Sequence, residues 1–380
     1  MNALWFILVV AFVLAMQANL YKKYIFKDLK IERKFENPAI FPGEKTTLRI
    51  TLVNKKIFPI TYLKLQQKIP VELQMVKSSM VENNDKVKYF HTTVLSMMPF
   101  QRITRKFEIV GIKRGVYNLF DPVKVFSTDL FGSEEYESEI LAHARLVVYP
   151  NLIDLNSSFV VADSLQGDVF VRRWIIEDPI MISGIRDYTP SDNYKDINWK
   201  ATAKNQTLKV NKYDYTADKK IMILFNIDFH RYLFKTIDLQ EFEKAVEVAA
   251  SLSVDLLKKG IPVGFSTNAI CLFEGDYSII EPSAGESQIS KLLEVFAGLS
   301  FFKRYDLEEI LRLMTNHLSW GTDLVVVTPF VDDKVANALS DIGNTKISIV
   351  SIKPNEIGHL PTNIKLFFYN EEGKQLETVG

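Results

Sequence analysis

Hydrophobic and polar positions change rhythm twice along the chain. From Ala3 to Leu20 the run ALWFILVVAFVLAMQANL carries no charge and is close to the length that spans a bilayer as a helix. From about Leu29 to Pro150 the rhythm is two. Leu48, Ile50 and Leu52 alternate with Thr47, Arg49 and Thr51, Leu63 and Leu65 continue the pattern, and Ile103, Phe107 and Ile109 repeat it later. Turn chemistry at Phe41-Pro42-Gly43-Glu44 and Asp129-Leu130-Phe131-Gly132 separates short strands, so a β-sandwich is predicted over 28–150.

After Lys220, short apolar runs alternate with helical periods. Ile221–Ile227 reads as a central parallel strand covered on both faces. Asp238 with Glu241 three residues on forms a capping box. Phe242, Ala245, Val246, Ala249, Leu252 and Leu256 then keep one apolar face until Gly260 and Pro262. Further strands are predicted at Pro262–Ser266, Leu324–Val327 and Ile347–Ile352, and helices around Ile289–Phe296, Asp306–Met314 and Val331–Leu339. Cys271–Ile280 reads as an inserted hairpin. Such alternation predicts a doubly wound α/β domain over 219–380, with 151–218 as a connector.

At 380 residues the chain exceeds the usual size of one core. The 46 basic and 46 acidic side chains balance, so no bulk field draws in nucleic acid. A single cysteine, Cys271, leaves no internal disulfide and fits a reducing compartment. Lys22, Lys23 and Lys27 follow the apolar run, with Tyr21 and Tyr24 as interfacial aromatics. The positive-inside rule then makes 1–21 a transmembrane anchor of a single-pass cell-membrane protein, with the soluble domains in the cytoplasm. No basic segment precedes the run and no small-residue cleavage site follows it, against a cleaved signal peptide.

The densest chemistry lies in Gly184–Tyr215. Asp192 could cap a short helix with Asp196 in its first turn, Lys200 and Lys204 towards its end, and Trp199 facing whatever the helix packs on. Arg186, Asp187, Tyr188 and Asp192 together exceed what one small helix needs. The run RDYTPSDN…DINWKATAK…LKVNKYD resembles the signature of the bacterial family called domain of unknown function 58. That signature reads R-[DE]-Y-x-x-G-D-D, then I-x-W-k-x-[ST]-A-[RK]. Arg186, Asp187, Tyr188, Asp192, Ile197, Trp199, Lys200, Ala203 and Lys204 match, whereas Ser191 and Asn193 stand where the family commonly has Gly and Asp. The segment RGVYNL…STDLFG, from Arg114 to Gly132, also resembles the family. The resemblance implies a multi-domain chain: an N-terminal transmembrane helix, an all-β immunoglobulin-like sandwich, then a von Willebrand factor A-like (Rossmann-like) domain. It also implies a MoxR-type AAA+ ATPase as partner, in a chaperone-like or complex-maturation role.

Many members of that fold hold Mg²⁺ through D-x-S-x-S at a strand end. Here the run is Asp228-Phe229-His230-Arg231-Tyr232, both serines are replaced, and Thr328-Pro329-Phe330 supplies no carboxylate. Asp187, Asp192 and Asp196 match no calcium loop, Cys271 lies in an apolar stretch, and no phosphate-binding G-x-x-x-x-G-K-[ST] occurs. Arg172, Arg173 and Trp174 read as a snorkelling pair beside a packed ring. The expectation is therefore a membrane-anchored scaffold without cofactor, metal or catalytic group. Its partner-binding or motif residues would be Arg186, Asp187, Tyr188, Asp192, Trp199, Lys200 and Lys204. Two alternatives stay open: a metal-dependent hydrolase using Asp187, Asp192 and Asp196, and a structural envelope protein.

Overall fold

The computed structural model describes residues 5, 6, 8, 12, 16, 21–76, 81–82, 87–129, 132, 134–155, 159–161, 182–189, 194–213, 220–228, 239–273, 278–318, 322–329, 331, 333–340, 342, 345–352 and 364–369. The chain divides into two compact units, Met1–Asn151 and Leu152–Gly380.

The first unit is built from strands β1 (Leu29–Phe35), β2 (Ala39–Ile40), β3 (Lys45–Asn54), β4 (Ile60–Pro70), β5 (Leu73–Met75), β6 (Val81–Glu82), β7 (Lys88–Met97), β8 (Arg102–Gly111), β9 (Gly115–Leu119), β10 (Val123–Thr128), β11 (Glu135–Ile140) and β12 (Ala144–Val148). They form sheets in the orders β1-β3-β8-β5, β11-β10-β4-β7-β6 and β2-β12-β9. The period-two pattern has the expected consequence in β3, which buries Leu48, Ile50 and Leu52 against Leu63, Leu65, Ile109 and Val125 in one core. Arg33 on β1 enters that interior. Its guanidinium donates to the carbonyls of Leu119 (2.9 Å), Asp121 (2.8 Å) and Ala142, tying the first strand to two later loops.

The second unit carries β13 (Phe159–Val161), β14 (Ile182–Asp187), helix α1 (Trp199–Asn205), β15 (Lys209–Tyr213), β16 (Lys220–Phe225), α2 (Leu239–Lys258), β17 (Val263–Thr267), β18 (Ala269–Cys271), β19 (Ile279–Ser283), α3 (Glu286–Gly298), β20 (Leu299–Lys303), α4 (Leu307–Thr315), β21 (Thr322–Thr328), α5 (Asp333–Ser340), β22 (Ile347–Ser351) and β23 (Ile364–Tyr369). β16 is buried almost throughout because β17 and β21 flank it in parallel and side chains pack on both faces. Met222 and Leu224 meet Ile310, Leu311 and Met314 of α4. Phe225, pointing the other way, meets Phe242 of α2 with ring centroids 6.1 Å apart. α2 ends as its sequence predicts. Gly260 adopts φ 80°, its N–H donates to the Leu257 carbonyl, and the Ile261 N–H reaches back to Leu256.

The expected fold class needs correction. Among the described residues no helix is long and apolar enough to cross a membrane. Of the run Ala3–Leu20, Trp5, Phe6, Leu8, Phe12 and Met16 are described, and all five are exposed. In place of an immunoglobulin-like pair of sheets, the first unit has three, because β12 pairs in parallel with β2 and antiparallel with β9, outside the two larger sheets. The sheet expected to be doubly wound and von Willebrand factor A-like is a mixed one, β13-β23-β22-β21-β16-β17-β19, parallel from β17 to β23 and antiparallel at both edges. Pro282 in β19 lacks an N–H and is therefore confined to such an edge. Gly264 lets that edge approach, since a Cβ there would sit 2.7 Å from the Ile280 carbonyl. Of the hairpin expected at Cys271–Ile280, residues 274–277 lie outside the described residues, and the described strands at its ends pair elsewhere: β18 with β20, and β19 with β17.

Candidate functional site

The Gly184–Tyr215 stretch folds into a small module. β14 and β15 pair antiparallel, setting Arg186 opposite Val210 and Asp187 opposite Lys209. Ile197 bridges Val210 from the far side, and the Asn198 N–H donates to the Lys209 carbonyl (2.8 Å). The next residues turn into α1. Its N-cap is Asn198, whose Oδ1 accepts from the Ala201 N–H (2.9 Å) while its Nδ2 donates to Asn211 Oδ1 (2.7 Å). One side chain thus starts the helix and fastens it to the hairpin. At the other end Gln206 turns left-handed (φ 55°), and the Lys209 N–H donates to Thr202 Oγ1 (3.0 Å). Ile197, Ala201 and Val210 fill the inner side.

This geometry redistributes the predicted roles. Capping falls to Asn198, and α1 has no acidic residue in its first turn. Asp192 lies outside the described residues, as do His230, Arg231 and the Arg172–Trp174 patch. Trp199 is not the anchor of the helix: it is 67% exposed, because Ile197 and Ala201 hold the inward positions. Lys200 and Lys204 are exposed beside it, and Lys204 suits the carboxyl end of the helix. Tyr194 (centroids 6.1 Å from Tyr188) adds a second exposed ring, and the Tyr188 N–H is spent on the Leu208 carbonyl (3.0 Å). Arg186 donates to the carbonyl of Asp187 (3.2 Å). Asp187 receives Lys209 Nζ at 2.5 Å, an outlying pair worth at most about 1 kcal/mol. Asn198 carried a readable signal, an N-cap residue type just ahead of the helix. Lys209 carried none, since only strand register brings it to Asp187.

A second polar cluster lies where β16, β17 and β21 end. Asn226 Oδ1 accepts from Asn268 Nδ2 (2.8 Å) and from the Asp228 N–H (3.2 Å), and Asn226 Nδ2 donates to Thr328 Oγ1 (3.2 Å). Asn268 Oδ1 takes the Ile227 N–H (2.9 Å). Carboxyl ends of parallel strands are where open sheets gather ligands. Here Asp228 already holds a cation. Lys303 Nζ lies 2.9 Å from Asp228 Oδ1 and 2.7 Å from Asp306 Oδ1, and its hydrogen bond holds the Asp306 carboxyl below the usual carboxylate range. Asp306 stands at the N-cap position of α4, yet its side chain makes no cap bond and turns to Lys303 instead. Among the described residues no group of three or more His, Cys, Asp or Glu side chains is placed to hold a metal ion.

A β-rich, two-unit chain with a hairpin-and-helix module carrying an exposed tryptophan is the class these features define. The chain belongs to the family described as Protein of unknown function DUF58, which matches residues 184–375, from the module through every strand of the seven-stranded sheet but β13. It is similar to the uncharacterized protein YeaD of Bacillus subtilis (strain 168), at 21% identity over 93% of this chain and 83% of that protein. Solved structures with some likeness include a non-cellulosomal cohesin from Archaeoglobus fulgidus (8% identity, 31% of this chain, 91% of that one, TM-score 0.23). Another is a GH20 exo-β-N-acetylglucosaminidase from Vibrio harveyi (8% identity, 83% of this chain, 59% of that one, TM-score 0.23). At such scores neither bears on the fold or function of this chain.

Proposed function

We propose that the chain is a protein-binding scaffold whose hairpin-and-helix module contacts a MoxR-type AAA+ ATPase, in a chaperone-like or maturation role. The observation that carries this reading is the exposure of Trp199 on a module whose own core is already filled by Ile197, Ala201 and Val210. Tryptophan dominates binding hot spots because it buries a large rigid surface at small entropic cost. Lys200 and Lys204 beside it supply positive charge for an acidic rim on the partner. The partner's identity rests on the family resemblance.

Titration calorimetry of the full chain against a MoxR-type ATPase from the same organism tests the proposal. Saturable binding is expected, weakened about tenfold by Lys200→Glu with Lys204→Glu. Absence of binding with and without nucleotide, or binding indifferent to the charge reversal, would overturn it.

A further inference from the structure

One end of the first unit presents apolar side chains to solvent in a way its fold does not require. The turn between β3 and β4 exposes Ile57 (69%) and Phe58, and the turn between β7 and β8 exposes Met98 (67%) and Phe100 (70%). The two turns are tied together. Asn54 Nδ2 donates to the carbonyls of Phe58 and Met98 (both 3.0 Å), and the Phe100 N–H donates to the Lys56 carbonyl (3.3 Å).

Phe100 also sits at φ 55°. A bulky residue in the left-handed region is strained, and Gly or Asn would relieve it. The chain instead holds a phenylalanine ring out in water. Strain of that kind persists where a surface is used.

The segment entering β1 joins the same end. Tyr21 Oη donates to the Pro59 carbonyl (3.3 Å), Tyr24 stacks on Phe58 (centroids 6.2 Å), and Lys56 Nζ donates to the carbonyls of Ile25 (2.5 Å) and Lys27 (3.1 Å). That brings exposed Lys22, Lys23 and Lys27 beside exposed Lys55 and the apolar tips, with Asp28 as the exposed acid among them. Lys23 and Lys27 both lie 5.4 Å from the centre of the Tyr24 ring.

Protruding apolar tips collared by lysines, with a tyrosine at the boundary, match one occupant by chemistry: the headgroup region of an anionic bilayer. There the rings leave water and the ammonium groups meet phosphates. An opposing protein surface would need acidic groups and an apolar pocket in the same register, whereas a bilayer supplies both everywhere. We propose that this end of the first unit is a lipid-contacting apex that inserts Ile57, Met98 and Phe100 into the interface of an anionic membrane. The inference is independent of the ATPase-binding module, which lies in the other unit.

The test uses the full chain with Phe100→Cys in a Cys271→Ser background, labelled with an environment-sensitive nitrobenzoxadiazole probe. Vesicles of phosphatidylcholine with and without one third phosphatidylglycerol are added. A blue shift and protection from iodide are expected on the phosphatidylglycerol vesicles, whereas the same probe at Phe120→Cys, near His143, stays quenched. Replacing Lys22, Lys23 and Lys27 by Gln is expected to lower partitioning on the order of a hundredfold, at roughly fivefold per lysine. A probe at position 100 that remains open to iodide on vesicle-bound protein overturns the proposal. So does a chain that binds no vesicles, or lipid binding indifferent to the lysines.

Discussion

Replacing Trp199 by alanine separates an interface residue from a packing residue, because the two roles predict different magnitudes. The side chain is 67% exposed, so about one third of it is covered. A fully buried tryptophan covers roughly 200 Å². A third of that, at about 25 cal/mol per Å², sets a ceiling near 1.7 kcal/mol on the stability lost. For a unit of this size, melting should fall by only a few degrees and remain cooperative. At a partner surface a central tryptophan is worth about 2–4 kcal/mol, or roughly 30- to 1000-fold in affinity. Scanning calorimetry and titration calorimetry on the same preparation read both numbers. Trp199→Ala should melt near-normally and bind the ATPase at least thirtyfold more weakly, with Trp199→Phe intermediate. Affinity unchanged within threefold would refute the interface role, and loss of cooperative melting would show that the exposure of the ring misrepresents what it supports.

Two further predictions concern stability. Burial lowers the Lys56 ammonium from its ordinary pKa near 10.5 to about 8. The unfolded lysine therefore binds more protons between pH 8 and 10.5, and this group's contribution to stability should rise with pH across that window, by about 3 kcal/mol at most. Denaturation of wild type and Lys56→Met at several pH values isolates the effect; a difference that stays flat or shrinks the other way contradicts it. Arg33→Met removes the buried donor shared by the Leu119, Asp121 and Ala142 carbonyls, and should cost the chain roughly 2–4 kcal/mol in urea unfolding. A neutral or stabilising result would mean that desolvating the guanidinium already cancels its hydrogen bonds.

Much of the local structure was legible from residue order, because its causes are local. Alternation put Leu48, Ile50 and Leu52 inside, and the apolar period of α2 with Gly260 after it predicted both the buried face and the stop. The RDY…W-K signature located the module without showing how its side chains are disposed. Tertiary structure decided the rest. Whether Trp199 faces in or out depends on Ile197, bridged to Val210, and Ala201 taking the inward positions, and which residue caps α1 depends on Asn198 finding Asn211 across the hairpin. The ammonium beside Asp228 comes from β20, which no spacing in the sequence links to β16. Strand order, edge direction and the pairing of Lys209 with Asp187 belong to the same kind. A repeat of two or 3.6 residues is set by neighbours along the backbone, whereas charge pairing and exposure are set by segments that meet only after the chain has folded back on itself.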